Sequence, residues 1–187
     1  YANGATMAVE PDDVITLYAD ATITAKYVVK ASVTADNQSI TYGDALPELT
    51  YTPVVPEGYT LVAPTASLGD YNAETGTRAI ILSGAWIKDG NGTALDAAQL
   101  ELTVNNGTLT VAKRNITISA KPVTSEYTGS AVDATDSEIT SGSLVDGDTV
   151  KSVEYTGGPV NVGTGTSTPC NAVIVDANGV DVTAYYN

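Results

Sequence analysis

The side chains best placed to hold a ligand in this sequence are oxygen donors. Asp176-Ala-Asn178-Gly179-Val-Asp181 sets side-chain oxygens at alternate positions about a glycine, the layout of a short calcium loop. The distal bidentate glutamate and the full length of an EF-hand loop are missing. An Asn-Gly hairpin flanked by aspartates also arises for turn reasons alone. Asp176, Asn178 and Asp181 therefore carry two readings, calcium ligands or the polar frame of a turn. Asp89, Asn91 and Asp96 form a sparser set of the same kind. No cofactor other than calcium is implied.

Catalytic chemistry is hard to assemble. None of the 187 residues is His, which removes the commonest general base and the commonest transition-metal ligand. Cys170 is the single cysteine, so neither an intrachain disulfide nor a thiolate zinc cluster can form. Without a His partner, Cys170 in Thr168-Pro-Cys-Asn171 reads as a small residue at the start of a strand. Carboxylates are plentiful, but no motif sets two together as a glycosidase needs. The chain is accordingly expected not to be an enzyme.

Two further chemistries compete with simpler readings of the same residues. An intramolecular isopeptide bond needs a lysine buried with an Asn or Asp and a catalytic carboxylate. Lys26, Lys30, Lys113 and Lys121 lie in or beside strand-like runs, where solvent-facing alternation accounts for them. Exposed aromatic rings can stack on sugars, which makes Trp86, Tyr185 and Tyr186 the candidate glycan-binding residues. Tyr42 and Tyr127, each beside turn residues, are expected to cap a core edge with the hydroxyl wet or bonded to backbone.

Charge narrows the partners. Eight basic against 22 acidic residues give a net charge of −14, which repels phosphate backbones and anionic membrane surfaces. No nucleic acid is expected. No apolar run approaches the roughly 18–20 residues that span a bilayer, so no direct membrane insertion is expected either.

The elements that must position these residues read as strands. Hydrophobic residues make up 43% of the chain, with 11 tyrosines, one Trp and no Phe, and threonine is frequent. β-Branched and aromatic residues fit pleated, half-buried surfaces. Apolar and polar residues alternate over Val14–Tyr18, Thr22–Val28, Ala31–Ala35, Leu100–Val104, Thr108–Ala112, Asn115–Ser119, Val150–Tyr155 and Asn171–Val175. Asp89-Gly-Asn-Gly92, Asn105-Asn-Gly107, Asp146-Gly-Asp148 and Asn178-Gly179 supply tight-turn chemistry between them. At most one short helix is expected, one or two turns within Thr93–Leu100.

A repeat organises the strands. Ala31–Asp44 lies over Ile116–Gly129 so that Ala35 meets Ala120 and Tyr42 meets Tyr127, both at an offset of 85. Repetition at a domain-sized period points to a tandem array. Residues 1–29 are expected to be the C-terminal strands of a preceding surface repeat. Residues 30–113 form a first β module, and residues 114–187 a second, related module lacking its last strand. The chain starts without Met and stops in an apparent strand, as a piece of a longer protein would. Lys113-Arg114 has no Pro- or Ser-rich linker, so the modules are expected to stack stiffly.

Ile40-Thr-Tyr-Gly-Asp-Ala-Leu-Pro-Glu-Leu-Thr-Tyr51 and Asn106–Lys113 resemble the MBG-type module with its Tyr-Gly-x motif. Thr75–Gly84 is similar to that family's Gly-Thr-Tyr-x-Ile strand, with Arg78 where Tyr is usual. Glu126-Tyr-Thr-Gly129, Val162-Gly-Thr164 and Asp176–Tyr186 resemble the related Tyr-Asp-Gly repeat, with Thr128 in place of Asp. The resemblance covers residues 30–187 and rests on structural motifs. It implies small, mainly β modules, as an immunoglobulin-like sandwich or a β-grasp-like sheet, in the extracellular stalk of a bacterial cell-surface or cell-wall protein. It implies adhesion support rather than catalysis. The implied partners are neighbouring modules of the same polypeptide, with host glycan, mucin or a cell-surface protein as the adhesive alternative.

Overall fold

The computed structural model describes residues 27–69 and 74–187. Val14–Tyr18, most of Thr22–Val28, nearly all of the expected N-terminal segment 1–29, and Lys26 lie outside those residues. The described residues are mainly β, 47% strand and 2% helical. In chain order the strands are β1 Val29–Ala35, β2 Gln38–Thr41, β3 Tyr51–Val54, β4 Thr60–Val62, β5 Thr65–Leu68, β6 Gly76–Ser83, β7 Trp86–Lys88, β8 Leu100–Asn105, β9 Gly107–Ala112, β10 Thr117–Ala120, β11 Ser137–Ser141, β12 Thr149–Thr156 and β13 Thr168–Val175. A 3-10 turn at Thr183–Tyr185 follows.

Among the described residues, every strand pair lies on one side or the other of Lys113-Arg114. Residues 29–112 form the sheets β3-β1-β8, β2-β9-β6-β5 and β4-β7. Alternation dictates which faces turn inward. Ala31, Val33 and Ala35 are buried along β1, and Leu109 and Val111 along β9, with Thr34, Thr108 and Thr110 facing out between them.

β1 and β8 run parallel, as do β2 and β9. The two parallel pairs are continuous: β1 bends into β2 while β8 bends into β9 beside it. Asn105-Asn106-Gly107, expected as a tight hairpin, is instead this corner. Its two strands do not pair with each other but with β1 on one sheet and with β2 and β6 on the other. Asn37 holds the bend, its Oδ1 accepting from Thr108 N at 2.8 Å and from Thr108 Oγ1 at 3.0 Å. Asn105 Nδ2 donates to Thr34 Oγ1 at 3.1 Å. Only glycine fits at 107, since a Cβ there would lie 2.6 Å from the Ala35 carbonyl oxygen.

Thr93–Leu100 forms no helix, within the expectation of at most one. Leu95 N donates to Ile87 O at 3.0 Å and Gln99 N to Asp96 O at 2.8 Å, which ties the segment to β7 as bridge and turn. Too few residues are available to repay helix nucleation.

Residues 114–187 contain the antiparallel pairs β10-β11 and β12-β13. The first strands of the two modules make corresponding hydrogen bonds, with donors at the offset of 85 seen in sequence and acceptors at 86. Val29 N donates to Gln99 O, and Arg114 N donates to Tyr185 O. Asp36 N donates to Thr50 O, and Lys121 N donates to Asp136 O.

One apolar cluster runs through both modules. It contains Val33, Ile80, Leu109 and Val111 from the first and Ile174, Val182 and Tyr186 from the second, with Tyr42 between them. No helix among the described residues is long and apolar enough to cross a membrane.

Candidate functional site

The densest constellation of polar and aromatic groups lies where the modules meet. Tyr42 follows β2 and is fixed by its own N–H, which donates to Ala112 O at 2.8 Å. Its ring contacts Tyr185 at a centroid distance of 4.9 Å and meets Tyr186 edge-on at 5.5 Å. Such tilted and edge-on pairs are the favoured aromatic geometries. Tyr42 Oη donates to Asp148 Oδ2 at 3.2 Å, and Tyr186 Oη donates to the same oxygen at 2.6 Å. Tyr186 Oη also accepts from Val145 N at 2.9 Å. Each buried hydroxyl therefore has a partner, as the interior requires.

Arg114 closes the junction from the other side. Its Nε donates to Tyr42 O and its Nη2 to Asp44 Oδ1, both at 2.8 Å. Asp44 in turn accepts from Thr41 N through Oδ2 at 3.0 Å, which fixes the turn that Arg114 grips. Gly43, at φ +85°, is pressed against the Val145 side chain, so any Cβ would collide with Val145 as well as strain the backbone.

Electrostatics make this a static site. Burial, then the charge and hydrogen bond of Asp148, push Tyr42 well above the usual tyrosine range. Burial and the Asp148 hydrogen bond push Tyr186 up to about 12. Burial, then the Glu74 carboxylate, raises Tyr185. At neutral pH all three phenols keep their protons. The arrangement binds two surfaces together.

Asp176, Asn178 and Asp181 do lie in one hairpin, between β13 and the 3-10 turn. Asp176 Oδ1 accepts from Asn178 N at 2.9 Å and Val180 N at 2.8 Å. The Val180 amide is the main reason the Asp176 carboxyl sits below the ordinary carboxylate range. Asp181 Oδ1 accepts from Thr183 N at 2.9 Å, and Thr183 lowers it likewise. Asp89 has the same habit, with Oδ1 accepting from Asn91 N and Thr93 N. Turn chemistry thus engages the candidate calcium ligands. Among the described residues, no three His, Cys, Asp or Glu side chains group so as to hold a metal ion.

Of the candidate glycan-binding residues, Trp86 is 37% exposed and Tyr186 only 6%. Trp86 Nε1 donates to Leu95 O at 2.9 Å. The rings of Tyr185 and Tyr186 pack on Tyr42, so the structure does not gather the candidates into one patch. Lys30 and Lys121 pair at the surface with Glu101 and Asp136, at 3.6 and 2.7 Å, outside any apolar core. Cys170 is half-buried in β13, opposite Glu154.

Sequence reasoning missed Asp148 and Arg114. Asp148 reads as part of an Asp-Gly-Asp turn, and Arg114 as a boundary residue. An arginine at a linkerless boundary, in a chain so poor in arginine, was the available signal. No family model, curated protein or solved structure matches the chain.

Proposed function

We propose that this chain is a non-catalytic spacer from the stalk of an extracellular bacterial surface protein, built of MBG-type and Tyr-Asp-Gly-type modules and serving to support adhesion. The junction carries this reading. A chain whose most elaborate side-chain site joins one module to the next, with the phenols protonated and the Tyr42 and Tyr186 hydroxyls bonded to Asp148, is organised to hold position. The absence of His and the resemblance of Ile40–Tyr51 and Asp176–Tyr186 to surface-repeat motifs support the same reading. Modules locked side to side transmit orientation, which a spacer needs and a flexible linker cannot supply.

Small-angle scattering from the whole chain tests it. One compact conformation with a fixed spacing between modules is expected, and Tyr42→Ala broadens the distribution. Freely reorienting modules in the unmodified chain would remove the spacer reading.

A further inference from the structure

We propose that the cleft between residues 121–130 and the loop 159–167 is a binding site for a short, neutral oligosaccharide, with Tyr127 as its stacking platform.

The repeat shows why Tyr127 is available. Tyr42 and Tyr127 occupy equivalent positions at an offset of 85. Tyr42 is 8% exposed and its ring packs on Tyr185 and Tyr186. Tyr127 is 66% exposed, so it does not cap a core edge as its place beside a turn predicts. It lines a cavity of about 600 Å³, within the roughly 300–1,000 Å³ of sites that hold small organic ligands. Val123, Val160 and Val162 line the same cavity and are exposed as well. Apolar surface gathered in one concavity marks a contact site, as singly scattered side chains do not.

The walls are fixed without a ligand. Val132 N donates to Pro159 O at 3.1 Å. Asp133 Oδ1 accepts from Gly158 N at 2.8 Å and from Ser167 Oγ at 3.2 Å. Ser167 Oγ in turn accepts from Ala134 N at 3.1 Å. One carboxylate oxygen therefore joins the two sides. Glycine at 158 permits the close approach, since a Cβ there would collide with the Val132 carbonyl. A cleft braced in this way loses little freedom on binding, which favours affinity.

The lining selects the ligand. Thr124, Ser125, Thr128, Thr164 and Thr166 set hydroxyls around the apolar surface. A hydroxyl both donates and accepts, so this lining suits a ligand whose own polar groups are hydroxyls. A sugar ring has that character, with hydroxyls at its rim and an apolar C–H face that can lie on a tyrosine ring. Charge disfavours acidic sugars. Among the described residues that line the cavity the one cation, Lys121, is paired with Asp136 at 2.7 Å, and Glu126 adds a carboxylate. The net charge of −14 repels anions at longer range. The cleft shares no residue with the module junction or with Trp86, and it does not depend on a spacer role.

The test screens the whole chain against immobilised neutral gluco-, galacto-, manno- and N-acetylhexosamine oligosaccharides, alongside sialylated and sulfated ones. Sugars that bind, and a proline-rich peptide, are then titrated into the isotope-labelled chain and followed by amide chemical shifts. A neutral oligosaccharide is expected to bind, with shifts confined to residues 121–134 and 157–167. Tyr127→Ala should weaken binding about tenfold, the loss of one good ring contact. Tyr127 is exposed, and unchanged shifts at the Tyr42 and Tyr186 amides show that this variant folds. Failure of every neutral oligosaccharide to bind would overturn the proposal. So would a preference for the acidic sugars, shifts centred on Trp86 or the junction, or a Tyr127→Ala variant that binds as well as the unmodified chain. Shifts in the cleft caused by the peptide and by no sugar would overturn it too, and would assign the cleft to a polypeptide.

Discussion

Tyr186 and Tyr42 give their hydroxyl protons to one oxygen of Asp148, and ionising either phenol would set a second negative charge against that carboxylate. The folded state therefore holds the neutral phenols. For Tyr186 the folded value is about 12, against 10 for a free tyrosine. A raised value means that the folded state binds the proton more tightly. Its stabilising contribution is complete below pH 10 and is lost as pH rises through about 12. Titration followed by tyrosinate absorbance should show the junction phenols ionising above the usual tyrosine range, together with unfolding, and Tyr186→Phe should remove part of that late alkaline step. The lack of any step above the usual tyrosine range would contradict the buried pair. From sequence, Tyr42 could be placed at a core edge because a tyrosine before a turn suits that position. Its acceptor could not be found, because Asp148 lies 106 residues away and only module docking brings them together.

Among elements, the Asp176–Val180 hairpin shows how much one acceptor can hold. Asp176→Ala removes the acceptor of the Asn178 and Val180 amides and should lower the unfolding midpoint, since charged acceptors make the stronger hydrogen bonds. Denaturant unfolding with and without added calcium measures this. A midpoint in the unmodified chain that is indifferent to calcium fits the turn role, and a rise with calcium assigns the loop to the metal. The long strands β1, β8, β9, β12 and β13 were legible because apolar and polar residues alternate along them. Short strands such as β4 and β7, of three residues each, carry too little periodicity to stand out. The Asn105–Gly107 corner was misread for a different reason. An Asn-Gly pair suits a hairpin and a sheet-changing bend equally, and what decides is a strand partner such as Thr34, 71 residues away.

For the molecule as a whole, the shared apolar cluster ties the stability of one module to the other. Calorimetry of the unmodified chain should give one transition for residues 30–187. Gly43→Val sets a branched side chain against Val145 at a positive φ, costs about 1–3 kcal/mol in backbone strain alone, and should split the melt into two steps. A single unsplit transition in that variant would mean that the clash is absorbed without undocking. The mainly β class and the strand-rich halves were legible from composition and alternation. The docking was not, because packing of Gly43 on Val145 is a property of two surfaces and neither carries a sequence period.

The parallel course of β1-β2 beside β8-β9 has a mechanical consequence. The chain enters this module at Val29, at one end of the paired strands, and leaves at Ala112, at the other. Tension along the polypeptide drags the two neighbours in opposite directions along their length. The inter-strand hydrogen bonds are then loaded together, in shear, instead of being peeled open one after another as in a hairpin pulled from its ends. The same topology that places first and last strands side by side makes the module resist extension along its own chain axis.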